Sequence, residues 1–84
     1  MNKTIKEAYE IMDEAYLGEL PDLEIGDICT FNDVWDGFDN INPNVGSYSY
    51  QIDDDKWINY VWEVVQEKEN VLETVIKIID IELL

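Results

Sequence analysis

The sequence contains no arginine and no histidine, and its five lysines stand against twenty aspartates and glutamates. Because the resulting net charge of −15 repels polyanions, this balance argues against direct binding to DNA, RNA or an anionic membrane surface. The absence of histidine excludes an imidazole acid or base, a histidine-ligated metal and a Ser-His-Asp triad. The composition therefore favours a partner that carries positive charge.

Cysteine and long apolar runs are also scarce. The one cysteine, Cys29, leaves no internal disulfide and no zinc-ligand spacing, which is typical of a reducing compartment. No stretch approaches the ~20 apolar residues that span a bilayer, and Glu7 and Glu10 stand where a signal peptide would be apolar. With 84 residues, of which 46% are hydrophobic, we expect one globular domain, 1–84, in the cytoplasm.

The negative charge is concentrated in one part of the chain. Residues 7–55 hold fourteen acidic residues and no lysine, whereas residues 1–6 and 56–84 hold six acidic residues and all five lysines. Since like charges at this density destabilise a compact fold, the asymmetry favours a functional role for the acidic part over simple solubility.

Residues 4–17 have the pattern of an amphipathic helix. Thr4 and Glu7 have the spacing of a capping box at its start, and Gly18 and Pro21 are typical of residues just beyond a helix end. Steps of three and four residues separate the apolar positions of the predicted buried stripe, which are Ile5, Ala8, Tyr9, Met12 and Tyr16.

The middle of the chain is less regular. Residues 23–31 predict a strand interrupted by a turn at 25–27, with Cys29 and Phe31 on one side and Ile28 and Thr30 on the other. Residues 32–46 are rich in turn formers and predict an irregular segment, in which apolar side chains recur every three residues.

The C-terminal half predicts an antiparallel meander. Apolar side chains alternate over 48–52 and again over 58–64, with a polar turn at 53–56 between them and a second turn at 67–70. The last strand is predicted from Val71 to about Leu83, and its apolar positions switch from even to odd, which indicates a bulge near Ile78 and Ile79.

These elements predict an α+β fold in which one N-terminal helix packs on a three- to four-stranded antiparallel sheet. The order of the strands stays open. The apolar last strand, which runs to Leu84, is a candidate edge for pairing with a second copy, so both a monomer and a homodimer fit the sequence.

The residues give no support for catalysis, a cofactor or a metal site. No nucleophile is paired with a base, and acidic neighbours raise the pKa of a thiol, so Cys29 is predicted to be a small buried apolar residue. The segment 40–46 copies the alternation of an EF-hand loop, but its glycine comes one residue late and Gln51 stands where that loop needs glutamate. We therefore expect the residues of 40–46 to form turns and not a calcium site. We also expect that the protein is not an enzyme.

The acidic side chains themselves are the candidate site. They fall on the helix, on the segment 19–27, on the loop 33–39 and on the turn 53–55, which in two packed layers can merge into one negative surface. Most of the aromatic residues are assigned to the core, while Trp35, Phe38 and Trp57 are the ones expected at the surface. The predicted partner-binding residues are Glu7, Glu10, Asp13, Glu14, Glu19, Asp22, Glu24, Asp33, Trp35, Asp36, Phe38, Asp39, Asp53, Asp54 and Asp55.

In length, charge, α+β pattern and lack of a catalytic motif, the chain resembles the small acidic inhibitors of phages and other mobile elements, including anti-CRISPR proteins and other DNA mimics. The resemblance covers the whole chain in composition and rests on no single motif. It implies a phage protein that acts in a bacterial host cell by occupying the DNA-binding groove of a nuclease such as Cas9, a groove rich in arginine and lysine.

Two other functions fit the same residues. An immunity protein or antitoxin that neutralises one cationic toxin would need the same charge complementarity. A small acidic adaptor domain would instead bind through an apolar strand edge or through Trp35 and Phe38, with little dependence on salt.

Overall fold

In a computed structural model of the chain, residues 2–12, 20–35 and 42–84 are described. Two short 3-10 turns, Pro43–Val45 and Val71–Glu73, precede the second and fourth strands. The helices and strands in chain order are α1 (Lys3–Ile11), β1 (Ile28–Thr30), α2 (Phe31–Val34), β2 (Ser47–Asp53), β3 (Lys56–Gln66) and β4 (Val75–Leu83).

The strands β2 and β3 form the predicted hairpin. Asp53 pairs with Lys56, so the connection is a two-residue turn at Asp54 and Asp55. Along β3 the side chains alternate between the core and the opposite face as the sequence pattern predicts, because Ile58, Tyr60 and Trp62 are buried. The polar turn and both strand assignments are therefore confirmed.

The strand β4 contains the predicted bulge. Val61 pairs with Asp80 and Trp62 pairs with Ile78, so Ile79 is the extra residue on β4. The bulge lets Ile78 and Ile81 both face the core, although they are separated by an odd number of positions. The predicted start of this strand at Val71 is wrong, because 71–73 form a 3-10 turn and the strand begins at Val75.

All four strands lie in one antiparallel sheet with the order β1-β4-β3-β2. Together with α1 this confirms the predicted α+β fold. The prediction that the last strand is a sheet edge is wrong, because β4 lies between β1 and β3 and hydrogen-bonds to both. The edge strands are the three-residue β1 and the seven-residue β2.

The helix α1 starts earlier and ends earlier than predicted. Asn2, not Thr4, caps it, since the side-chain oxygen of Asn2 accepts hydrogen bonds from the backbone N–H groups of Thr4 at 2.7 Å and Ile5 at 3.3 Å. The helix ends at Ile11. Met12 follows it as the C-cap in a non-helical conformation, with φ of −58° and ψ of 127°. The rest of the predicted helix, 13–17, and the predicted stop at Gly18 lie outside the described residues.

The position of this cap gives a direct test. Asn2→Ala is expected to lower the free energy of unfolding by about 1 kcal/mol, the usual loss for an N-cap asparagine. Thr4→Ala is the matched control, and because Thr4 lies inside the helix its replacement should cost no more than a few tenths of a kcal/mol. Urea unfolding followed by circular dichroism measures both losses of free energy. A larger loss for Thr4→Ala than for Asn2→Ala would support the predicted capping box at Thr4 and contradict the cap at Asn2.

The segment between α1 and β2 departs most from the predictions. The turn at 25–27 is confirmed, but the predicted strand over 23–31 shortens to β1, because 20–24 run as irregular chain. The predicted irregular segment begins with a helix instead: Phe31 and Val34 are buried and define the inner side of α2. Thr30 and Asp33 form a capping box at its start, which stabilises even this single turn.

The core lies between the sheet and the elements that cover one of its faces. From the sheet it takes Ile52, Ile58, Tyr60, Trp62, Ile76, Ile78 and Ile81, and from the covering elements it takes Ile5, Ala8, Leu20, Phe31 and Val34. The indole of Trp62 packs against Phe31, with ring centroids 5.9 Å apart, and donates a hydrogen bond from Nε1 to the Pro43 carbonyl at 2.7 Å. One face of the sheet is thus buried beneath α1, α2 and the chain that carries Leu20 and Leu23. Gly26 and Asp27 instead hydrogen-bond to the backbone of Ile78 and lie beside β4.

Candidate interaction surface

Five of the predicted partner-binding carboxylates lie on the elements that cover the core, and all five are exposed. They come from α1, from the irregular chain 20–24 and from α2, each of which places apolar side chains in or against the core. No lysine lies between residues 7 and 55, although α1 also carries the exposed Lys3 and Lys6, one helical turn before Glu7 and Glu10. We call the five carboxylates the acidic layer: Glu7, Glu10, Asp22, Glu24 and Asp33.

On α1, the burial pattern fixes the direction of the carboxylates. Ile5 and Ala8 are completely buried against the sheet, so Glu7 and Glu10 project from the solvent side of the helix. Residues three apart on a helix are neighbours at about 5–6 Å between Cβ atoms. These two carboxylates are therefore adjacent on an otherwise regular surface.

Tyrosine hydroxyls attach the irregular 20–24 chain to the rest of the fold. The Tyr9 hydroxyl accepts a hydrogen bond from the Leu20 N–H at 2.9 Å and donates to the Leu20 carbonyl at 3.4 Å. The Tyr60 hydroxyl donates to the Pro21 carbonyl at 2.9 Å. These bonds hold Leu20 and Pro21, the two residues directly before Asp22, although this chain belongs to no helix or strand.

A third tyrosine attaches α2. The Tyr50 hydroxyl donates to the Val34 carbonyl at the end of this helix, while Asp33 accepts hydrogen bonds from the backbone N–H and the hydroxyl of Thr30 at 3.0 and 3.2 Å. Asp33 therefore has a structural role as a capping residue in addition to its contribution to the acidic layer. Its carboxylate remains exposed.

The field of the acidic side chains reaches the titratable groups beneath them. Burial, followed by the charges of Asp33 and Asp27, raises the pKa of the Cys29 thiol to about 11. Burial is also the main cause that raises the pKa of Tyr60, with Asp22 as a smaller contributor. The predicted effect of acidic neighbours on Cys29 is confirmed, and the thiolate needed for nucleophilic chemistry is disfavoured near neutral pH.

The remaining described carboxylates of the predicted site lie elsewhere, at the tip of the β2–β3 hairpin. Asp53 is half-buried, whereas Asp54 and Asp55 are exposed. Beside the tip, Trp57 and Leu84 exchange both backbone hydrogen bonds at 2.8 and 3.4 Å. The hairpin tip therefore sits at the end of the sheet and not on the layer that covers the core.

The aromatic residues predicted to reach the surface divide in a way that the strand pattern explains. Trp35 is half-buried and packs against the core. Trp57 is 40% exposed, because it alternates with the buried Ile58 on β3 and so faces away from the core. Six other members of the predicted site lie outside the described residues: Asp13, Glu14, Glu19, Asp36, Phe38 and Asp39.

Two residues of the turn at 25–27, the apolar Ile25 and the acidic Asp27, were not among the predicted site residues. Ile25 is 55% exposed at the turn between Glu24 and Asp27. Asp27 was also missed, and its carboxylate accepts a hydrogen bond from the Glu24 N–H at 2.9 Å. The turn at 25–27, recognised in the sequence, was the available signal, since an apolar residue at the tip of a tight turn has little to pack against.

Neither a metal site nor a membrane segment emerges from the described residues. Within 2–12, 20–35 and 42–84, no three acidic or cysteine side chains are grouped so as to hold a metal ion. In the segment that resembles an EF-hand loop, Asn42 caps a 3-10 turn and Gly46 adopts a left-handed conformation with φ of 80°, as turn formers do. No helix in these ranges is long and apolar enough to cross a membrane.

Comparison of the chain with protein-family models, with curated proteins and with solved structures finds no match. The fold itself defines the class: an α+β protein with a four-stranded antiparallel sheet, one face of which is covered by helices and tethered chain that carry exposed carboxylates.

Proposed function

We propose that this protein is a non-enzymatic inhibitor that mimics nucleic acid and occupies the DNA-binding groove of a bacterial nuclease in the cytoplasm of the host cell. Cas9 is the best single candidate, because its channel is lined with arginine and lysine that hold nucleic-acid backbones. The observation that carries the proposal is the acidic layer, in which three separate elements contribute exposed carboxylates.

The geometry of the acidic layer supports mimicry over simple solvation. On a helix, residues three apart have Cβ atoms about 5–6 Å apart, so Glu7 and Glu10 on α1 present adjacent negative charges, as a DNA strand does with one phosphate about every 3.4 Å of its axis. The tyrosine hydrogen bonds hold the backbone directly before Asp22, so less backbone entropy is lost there on binding.

Apolar side chains add a second kind of contact. Ile25 is 55% exposed and Tyr9 is 37% exposed, and both belong to the elements that carry the acidic layer. Protein interfaces derive most of their affinity from a few side chains that become fully desolvated, with charges supplying steering and specificity. This combination favours a protein partner with a basic groove over loosely held counterions.

A pull-down tests the proposal. The tagged protein is incubated with a bacterial lysate that contains Cas9 and a guide RNA, and bound proteins are eluted in salt steps and identified by mass spectrometry. We expect a nuclease that elutes as salt rises, because many exposed charge pairs are screened together, and that is released by added duplex DNA.

A different result would favour another function. A single tight partner that is not a nuclease and is indifferent to DNA would overturn the mimicry proposal and favour an immunity protein or antitoxin. A partner retained at high salt would indicate an apolar contact, as expected of an adaptor.

A further inference from the structure

The edge strand β2 leaves backbone hydrogen-bonding groups unused. Gly46 and Trp62 are opposite each other, and the Trp62 N–H donates to the Gly46 carbonyl at 2.8 Å. In an antiparallel pair, hydrogen-bonded and non-hydrogen-bonded positions alternate. The N–H and C=O groups of Ser47, Ser49 and Gln51 therefore point away from β3. Among the described parts of the chain, no backbone hydrogen bond reaches these groups.

The same strand is unusual in its charge. Residues 40–52 form an uncharged run of thirteen, and the next longest uncharged run in the sequence has six. Soluble proteins usually protect an exposed strand edge with charged side chains, above all lysine. In a chain with a net charge of −15, an edge without any charge is where a second, equally negative copy can approach with the least repulsion.

We infer that the protein forms a symmetric homodimer in which β2 pairs with β2 of a second copy, with Ser49 at the two-fold axis. The two sheets then become one continuous eight-stranded sheet, and the edge at β2 disappears. The acidic layer covers one face of the sheet and is not consumed by the pairing. The inference goes beyond the proposed function and does not depend on it.

Charge selects the antiparallel orientation of the two strands. Asp53, Asp54 and Asp55 follow β2 directly, so a parallel pair would bring both sets of three carboxylates together. In the antiparallel pair each set lies at the opposite end of the interface, near Asn44 and Val45 of the other copy. A C2 axis is also the commonest symmetry of soluble homodimers.

The unused groups select the register. When Ser49 of one chain faces Ser49 of the other, Ser47 of each chain faces Gln51 of its partner. The backbone N–H and C=O groups that point away from β3 in one chain then meet those of the other. This register gives about six inter-chain hydrogen bonds, two for each hydrogen-bonded pair. Tyr48 then lies opposite Tyr50 of the second copy, an aromatic pairing that favours adjacent antiparallel strands. The irregular pairing between Gln51 and Asp53 ends the flat part of the edge just beyond this overlap.

The mass of the purified full chain in solution tests the inference, measured by light scattering after size exclusion over a range of concentrations. We expect twice the chain mass of 9.8 kDa at high concentration. Because salt screens the repulsion between two chains of charge −15, dimerisation should strengthen as salt rises. Binding to the basic nuclease should instead weaken as salt rises. The two measurements therefore separate a failure of the dimer from a failure of the proposed function.

Two substitutions that add the same charge locate the interface. Ser49→Glu places like charges face to face across the axis and should abolish the dimer. Ile28→Glu adds the same charge to the other edge of the same sheet face and should leave the dimer intact; Ile28 is 66% exposed there. Circular dichroism confirms that both variants are folded.

A cross-link gives a readout that does not depend on charge. In a Cys29→Ser background, Ser49→Cys should form an inter-chain disulfide under mild oxidation, because facing residues of a hydrogen-bonded pair lie about 5.5 Å apart, within disulfide range. Ile28→Cys in the same background should not. The inference is overturned by a mass that stays at one chain at every concentration and salt, or by a dimer that Ser49→Glu leaves unchanged. Loss of target binding by Ser49→Glu in such a monomer would instead assign the edge to the target.

Discussion

Reversing three carboxylates of the acidic layer together, as Glu7→Lys, Glu10→Lys and Asp22→Lys, is expected to weaken binding to the nuclease about a thousandfold. Each reversal replaces an attraction to a basic groove by a repulsion, worth roughly 1.5 kcal/mol at the low end for close interfacial charge pairs. Three such losses add to more than 4 kcal/mol, and each 1.4 kcal/mol is a factor of ten in affinity. The measurement is the dissociation constant for the nuclease bound to its guide, at low salt.

A triple variant with the same net charge is the matched control. Glu69→Lys, Glu73→Lys and Glu82→Lys reverse three exposed carboxylates of the C-terminal half. Each reversal adds two charge units, so both triple variants change the net charge from −15 to −9. If the acidic layer is the binding surface, the control loses far less affinity. Equal losses in the two variants would show that only the overall charge matters.

Trp62→Ala is expected to lower the free energy of unfolding by about 3–5 kcal/mol, the range for removing a buried tryptophan or phenylalanine. The side chain is 3% exposed, packs against Phe31, and donates a hydrogen bond to the Pro43 carbonyl. A domain of this size has only about 5–15 kcal/mol of total stability. We therefore expect the variant to lose a large share of its stability, seen as a lower melting temperature and a lower urea midpoint.

Trp57 provides the control within the same strand. It occupies the opposite face of β3 and is 40% exposed, so Trp57→Ala leaves no closed cavity. Its cost should stay near or below about 1 kcal/mol, as for most surface positions. Losses of similar size at both positions would contradict the assignment of the core to one face of the sheet.

The predictable part of the fold is the part set by local pattern. Alternation over β2 and β3 identifies the hairpin, since period two is the signature of a half-buried strand, and the change of parity in β4 identifies the bulge at Ile79. Strand pairing between residues far apart in the chain has no signal in the local sequence. Cys29 pairs with Ile76, and nothing in either segment by itself shows that β1 covers one edge of β4.

The short helix α2 was also not predictable from its local sequence alone. The spacing of Thr30 and Asp33 is a capping-box signal, but a single turn is not stable alone. Packing of Phe31 against Trp62 and the hydrogen bond from Tyr50 to Val34 stabilise it, and both contacts depend on the assembled sheet.

The candidate site was predictable to the extent that charge determines exposure. Carboxylates belong at the surface, and the five in the acidic layer are exposed as expected. Which aromatic residue reaches the surface was harder to predict. Trp57 is an odd-numbered residue in β3, whose even-numbered residues are the buried ones, and this alternation is visible in the local sequence. The half-burial of Trp35 instead depends on where α2 packs.

Competition for DNA is the most direct test of the central claim. A labelled duplex that carries the target sequence and its PAM is titrated with catalytically inactive Cas9 bound to its guide, at several fixed concentrations of this protein. If the protein occupies the DNA-binding groove, binding is mutually exclusive, and the apparent dissociation constant of the duplex rises in proportion to the concentration of the protein. A ternary complex of Cas9, duplex and this protein, or a duplex affinity that does not change, would rule out occupation of the groove.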